Sequence, residues 1–288
     1  MEKKDFISEL PKSERSVLHE HAPLPPRMIF KIIRQEGEEE LERPFQALAF
    51  SGLAAGILVS LSFLFRSIFH MHMGSSPMEP LVSCLGYTVG FIIVILGRMQ
   101  LFTENPITTI IPLLSEWSWL RFYEVVRLWV TVFFFNIVGT AIAAAFYSSP
   151  YTLSPEIEGA MYEVAVNVMK LGPVENILRG IPAGILIAAI VWISPQTKYF
   201  RFATIMFLVY FIALGDFAHV VVGSCEMAYI VIADDANFFD YFFRFLIPCG
   251  LGNVIGGTVI FTLLVYYQVA KELNIKDKES KSSRKLPK

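Results

Sequence analysis

His219 stands in Gly215-Asp-Phe-Ala-His-Val-Val-Val-Gly223, an apolar stretch in which an ionisable side chain is costly to keep and is therefore a candidate for function. Of the five histidines it alone falls in a segment expected to lie within a membrane. A second apolar stretch is broken in the same way, by Gly97-Arg-Met-Gln-Leu-Phe-Thr-Glu-Asn-Pro106. Each break reads as the start of a new short helix, near residue 104 and near residue 219. Thr103 or Asn105 is the expected cap of the first, with Pro106 in its opening turn, where the missing N–H goes unpaired in any case. A helix N-terminus carries about half a positive charge, so two such ends facing one another favour an anion. An imidazole with an ordinary pKa of ~6.5 suits the donation of a hydrogen bond or a proton to a weak-acid anion at the narrowest point. Neutralising the anion there removes most of its desolvation cost.

The neighbours of the two breaks supply the rest of the candidate site. Leu101 and Phe102 lie within the first break and are read as an apolar constriction. Tyr87, Phe91, Phe211 and Phe217 flank the breaks and read either as further constriction or as helix packing. Arg179, Asp216 and Glu226 are candidates for a charged vestibule or for local ion pairs, while Arg98 and Glu104 read as a structural pair holding the first loop. Lys170 precedes the fourth apolar run, where it either attracts anions or is simply solvated.

The elements that must position these residues follow from composition. In 288 residues, 54% are hydrophobic and 17% charged, against about 25% charged in soluble domains; the mean hydropathy is +0.53. Disordered and collagen-like chains are excluded. The net charge of −2 provides no basic field for nucleic acid. Cys84, Cys225 and Cys249 have no metal-like spacing and read as small buried residues, and no metal or cofactor is expected. Uncharged runs cover 44–65, 80–97, 128–155, 180–197, 202–215 and 245–270. A spanning helix needs ~20 apolar residues. The run 202–215 is too short and needs its continuation 219–232, and 80–97 continues in 105–115. The expected architecture is all-α, with six membrane crossings of which the second and fifth are interrupted.

Fifteen of the 24 lysines and arginines sit in residues 1–43 and 271–288, which places both tails in the cytoplasm. Lys198 and Arg201 fit the same side. No secretory signal is expected, and the chain divides into a tail (1–43), a transmembrane domain (44–270) and a second tail (271–288), disordered beyond Lys271. Residues 25–43 read as an amphipathic surface helix with Met28, Ile29, Ile32 and Ile33 on one face and the acidic cluster Glu36 to Glu42 solvated.

The two halves resemble each other in order. Gly52-Leu-Ala-Ala-Gly-Ile-Leu58 matches Gly180-Ile-Pro-Ala-Gly-Ile-Leu186, Gly97 and Gly215 each precede a break, and Asn136-Ile-Val-Gly139 matches Asn253-Val-Ile-Gly256. Three crossings per half leave the second half inverted, a recurring transporter design with its path where the breaks meet. The small residues Gly52, Gly56, Gly139, Gly180, Gly184, Gly252, Gly256 and Gly257 suit close helix contact.

From about residue 44 to 270 the chain resembles the formate/nitrite transporter family. The resemblance rests on Gln100-Leu-Phe-Thr103, Phe135-Asn-Ile-Val-Gly139, Phe217-Ala-His219 and Leu246-Ile-Pro-Cys-Gly-Leu-Gly-Asn-Val-Ile-Gly-Gly257. The tail ending Glu38-Glu-Glu-Leu-Glu-Arg-Pro44 is similar to members with extended N-termini. The resemblance implies an aquaporin-like protomer in a homopentamer, embedded in the cell membrane. Each protomer would pass a small monovalent anion such as formate, nitrite or hydrosulfide, with or without a proton. It makes Thr103 and His219 the pore-centre pair, Leu101 and Phe102 one constriction, and Phe91 part of the other. Ala218 and Gly223 stand where the family often has glutamate and asparagine. Competing readings are a neutral-solute channel, for which only one Asn-Pro (105–106) is present, an intramembrane enzyme, which lacks a nucleophile arrangement, and a non-conducting channel relative.

Overall fold

A computed structural model describes residues 22–197 and 199–270, and every regular element among them is helical. The far N-terminal segment, the tail beyond Lys271 and Lys198 lie outside the described residues. Helix α1 (Pro26–Leu41) leads into α2 (Phe45–Val59) and α3 (Leu61–Met73), which a single turn at Ser60 separates. Then come α4 (Glu79–Leu96), a 3-10 turn (Phe102–Glu104), α5 (Asn105–Ser115) and α6 (Trp119–Tyr147). The second half holds α7 (Pro155–Met169), α8 (Pro173–Ile193), α9 (Arg201–Leu214), α10 (Val220–Ile232) and α11 (Asp240–Ala270), the last wound partly in π turns. Five helical runs are long and apolar enough to cross a membrane, and α9 and α10 are shorter apolar helices.

Packing follows the small residues. A Cβ on Gly56 of α2 would strike the carbonyl oxygen of Asn136 on α6, and a Cβ on Gly184 of α8 would strike that of Asn253 on α11. Only glycine lets these axes approach so closely. The α2–α6 pair and the α8–α11 pair are among the most extensive contacts in the molecule, and α4 lies against α9. The short helices cross over: α5 packs on α11, and α10 packs on α6. Large side chains such as Phe50, Val130, Phe146 and Leu264 point outward, as lipid-facing residues do.

Several expectations are corrected. The first apolar helix runs on to Met73, so His70 and His72 share it, and His70 lies between Glu79 (2.8 Å) and Glu163 (3.0 Å). Helix α7 was not anticipated, although Pro155 and Glu156 in its first turn mark its start. Helix α1 is docked rather than laid on a surface. Ile29, Phe30 and Ile33 are buried in a cluster with Ile107, Ile111, Ala188 and Val269, while Met28 is exposed. Its acidic cluster is not merely solvated, since Glu36 meets Arg98 and Glu40 accepts from Gln100.

Candidate functional site

Both breaks are built by the same backbone devices. Helix α4 ends with Arg98 N–H on Ile95 O (3.2 Å) and Met99 N–H on Val94 O (3.0 Å). Helix α9 ends with Asp216 N–H on Ala213 O (3.1 Å) and Phe217 N–H on Ile212 O (3.0 Å). These paired bonds satisfy the last carbonyls of a helix and need a left-handed residue just past its end. That residue is Arg98 (φ 52°) or Asp216 (φ 49°), and neither Gly97 nor Gly215 has positive φ.

An asparagine then holds each extended segment. Asn136 Nδ2 donates to Gly52 O (2.8 Å) and Gln100 O (2.9 Å), and its Oδ1 accepts from Phe102 N–H (2.9 Å). Asn253 Nδ2 donates to Gly180 O (2.8 Å) and Ala218 O (2.8 Å), and its Oδ1 accepts from Val220 N–H (2.9 Å). Gln100 N–H is taken by Ser51 Oγ (3.0 Å) and Ala218 N–H by Arg179 O (3.1 Å). Backbone that leaves a helix inside an apolar bundle must find such partners. Pro106 opens α5 as expected, but the residue before that helix is Glu104 and no side chain caps it. Thr103 is engaged elsewhere.

Thr103 Oγ1 lies 2.8 Å from His219 Nε2, and both residues are buried. His219 is the cap of α10, with Nδ1 accepting from Val222 N–H at 3.4 Å. An Nδ1 that accepts assigns the proton of the neutral ring to Nε2, which then donates to Thr103 Oγ1. The edge of Phe91 meets the imidazole at 4.8 Å between centroids, and Tyr87 lies 5.5 Å beyond Phe91.

Two cavities approach this group and share no lining residue. The first, about 140 Å³, reaches Leu101 and is bordered by Glu36, Glu40, Arg98, Gln100, Glu104, Asn105 and Arg201. The second, about 420 Å³, reaches His219 and is bordered by Arg66, Tyr87, Lys170, Arg179, Asp216, Phe217, Gly223, Glu226 and Phe245. Leu101, at the first cavity, and His219, at the second, are buried, as are Phe91 and Thr103 beside the imidazole. Phe102 is buried beside them, its ring packed on Phe133 (4.6 Å) and Trp129 (5.9 Å). Phe211 faces outward with Phe207, their ring centres 4.8 Å apart.

Among the charges, Arg98 does not hold Glu104; it reaches Glu36 at 3.4 Å. Lys170 Nζ donates to Asn167 Oδ1 (2.9 Å). Asp216 pairs at 3.6 Å with Arg66, whose guanidinium also lies 5.9 Å from the centre of the Tyr87 ring. Arg66 escaped sequence reasoning, although it is the first charge after the opening apolar run. The ring of Phe245 occupies the space where a side chain at Gly223 would stand. Among the described residues there is no cluster of histidine, cysteine or acidic groups fit to hold a metal.

Two helix ends converging on a buried histidine, between two cavities of an apolar bundle, define a membrane channel or transporter. The profile of the formate/nitrite transporter family matches residues 27–267, and the chain belongs to that family. It is 37% identical over 266 residues to the inner membrane protein YfdC of Escherichia coli (strain K12), spanning 92% of this chain and 82% of that protein. It is 24% identical over 253 residues to the formate channel FocA of Haemophilus influenzae, spanning 78% of this chain and 87% of that one. Two solved structures share its fold, each covering 83% of this chain and 98% of theirs. They are an FNT family ion channel (TM-score 0.73, 17% identity) and a pentameric formate channel with formate bound (TM-score 0.64, 18% identity). The family consists of channels and transporters, not enzymes, and the chain is an integral membrane protein.

Proposed function

We propose that the chain passes small monovalent weak-acid anions, such as formate or nitrite, along a path that joins the two cavities through Leu101, Phe91, Thr103 and His219. The observation that carries this reading is the contact between Thr103 and His219 at the junction of the cavities. Arg66, Lys170 and Arg179 draw an anion into the larger cavity. The N-termini of α5 and α10 add positive potential from both sides. His219 spends its Nε2 proton on Thr103, which leaves the threonine hydroxyl hydrogen to donate to the solute. The pair thereby passes a hydrogen bond, or a proton with the anion, across the driest section.

The same reading takes six crossings in two inverted halves, α4–α5 and α9–α10 being the interrupted second and fifth. The repeated helix ends and asparagine clamps support it. The chain assembles as a homopentamer with one path per protomer, as the pentameric relative suggests, and both tails face the cytoplasm.

Uptake into proteoliposomes at two external pH values tests the reading, with formate, nitrite and glycerol as solutes. His219→Ala is expected to reduce anion flux about a hundredfold or more while assembly persists, since an unmet desolvation cost of several kcal/mol then falls on the solute. Equal flux in mutant and wild type removes His219 from the path. Flux of glycerol in place of anions makes the chain a neutral-solute pore.

A further inference from the structure

The end of the bundle away from α1 carries a histidine that the proposed path does not use. His70, in the last turn of α3, has a carboxylate at each ring nitrogen. Glu79 Oε1 lies 2.8 Å from Nδ1, and Glu163 Oε2 lies 3.0 Å from Nε2. Glu79 opens α4 and Glu163 stands within α7, so one ring joins three helices. Two hydrogen bonds need two hydrogens, and ionised carboxylates bring none. A neutral imidazole donates from one nitrogen only, and its other nitrogen sets a lone pair against a carboxylate. The arrangement is therefore complete only with the ring protonated on both sides, an imidazolium between two carboxylates. Other charged and titratable groups surround this joint. Arg66, one turn back on α3, acts on Glu79, as Glu79 does on Cys84 of α4. Helix α10 brings Glu226, which acts on Arg66, and Tyr229, whose ring meets Phe63 of α3 and whose hydroxyl donates to Glu158 O of α7. His72 on α3 is exposed. The ring itself bonds to the two carboxylates.

What the ring holds in place is a wall of the larger cavity. Helix α7 is not one of the runs long and apolar enough to cross a membrane. It lies on α3 and α10, with Ala160, Met161, Val164 and Ala165 buried. Val164, Asn167, Val168, Lys170 and Leu171, on α7 and just past its end, line the larger cavity. We propose that His70 is a pH-operated clasp on this wall. With both nitrogens protonated, the ring ties α7 to the joint of α3 and α4. As pH rises and one proton leaves, the ring keeps a donor for one carboxylate only. Glu163, 71% exposed against 18% for Glu79, is the one that lets go into water. Helix α7 is then held by its apolar contacts alone and shifts more freely. The clasp is closed in acid and opens toward alkaline pH. Its effect on solute entry rests on reading the larger cavity as part of an anion path; the clasp itself does not.

A nitroxide label on Gly159→Cys reads α7 directly, because a side chain there meets nothing within 4 Å and the three native cysteines are buried. The test is the mobility of this label in the full-length chain in lipid nanodiscs, recorded at about pH 5.5 and about pH 8.5. The mobile fraction is expected to rise about two- to fivefold at the higher pH, the effect of losing one largely exposed charge pair. His70→Gln and Glu163→Ala leave the label mobile at both pH values. His70→Arg, whose guanidinium keeps its charge and has donors for both carboxylates, holds it at both. His72→Gln keeps the wild-type response. A wild-type label indifferent to pH, a response that survives in His70→Gln or His70→Arg, or one lost in His72→Gln overturns the proposal. Mobility is read without flux. A chain whose label responds yet moves no anion into liposomes keeps the clasp and loses the path; one that moves anions without the response keeps the path alone.

Discussion

The first break and the second differ in side chains while sharing a backbone. Each has a helix end closed by two bonds, a left-handed residue, an asparagine with three partners and a glycine against that asparagine's carbonyl. Aligned through the asparagine contacts, Gln100 corresponds to Ala218 and Leu101 to His219. Thr103, which meets His219 in space, corresponds to Val221, which has no hydroxyl, and the first break enters its short helix through a 3-10 turn while the second does not. The cavities diverge likewise. Carboxylates outnumber cations around the smaller one, and cations outnumber carboxylates around the larger. Leaving a helix inside an apolar bundle has few solutions, so the scaffold repeats; the side chains around the two cavities are under no such constraint, and those are unlike.

The equivalence of the scaffolds can be broken most severely at the asparagines. Asn136→Leu and Asn253→Leu each strand three buried backbone groups and are expected to cost about 3 kcal/mol or more, seen as a large fall in the melting temperature in detergent. Similar losses keep the two clamps equivalent, whereas one tolerated substitution ends that equivalence. Gly56→Ala and Gly184→Ala force the paired helices apart and are expected to cost about 1–3 kcal/mol each by the same measurement. The smallest effect sharpens the contrast. Arg98→Gly and Asp216→Gly both relieve a left-handed residue, by up to about 1 kcal/mol, and each gives up an ion pair, with Glu36 at 3.4 Å or with Arg66 at 3.6 Å. The two gains are expected to be alike, and a smaller gain for Asp216→Gly shows that its pair with Arg66 is the stronger of the two.

Much of the helical order was legible because charge is excluded from long apolar runs, and the runs interrupted by Arg98 and Asp216 stood out for that reason. Asn136 and Asn253 were legible as a matched pair, but their three-way bonding was not, since each clamps residues far away in sequence. His219 was conspicuous as an ionisable group in an apolar stretch. Arg66 was not, because at the end of a run it looked like an ordinary flanking charge until folding brought it to Asp216. The contacts of the Phe102 ring with Trp129 and Phe133 were not legible either, because loop membership says nothing about rotamer. Helix α1 was read correctly as amphipathic, yet its apolar stripe fits the bundle at Ile107 and Ile111.

The amino-acid order alone determined where the chain enters and leaves a low-dielectric medium, because the transfer cost of a charge is a local property of each residue. Which polar atoms would face one another there, which would be answered and which left waiting was decided only by tertiary packing. Thr103 and His219, or Arg66 and Asp216, come together through contacts between residues more than a hundred positions apart, and no local pattern encodes such distances.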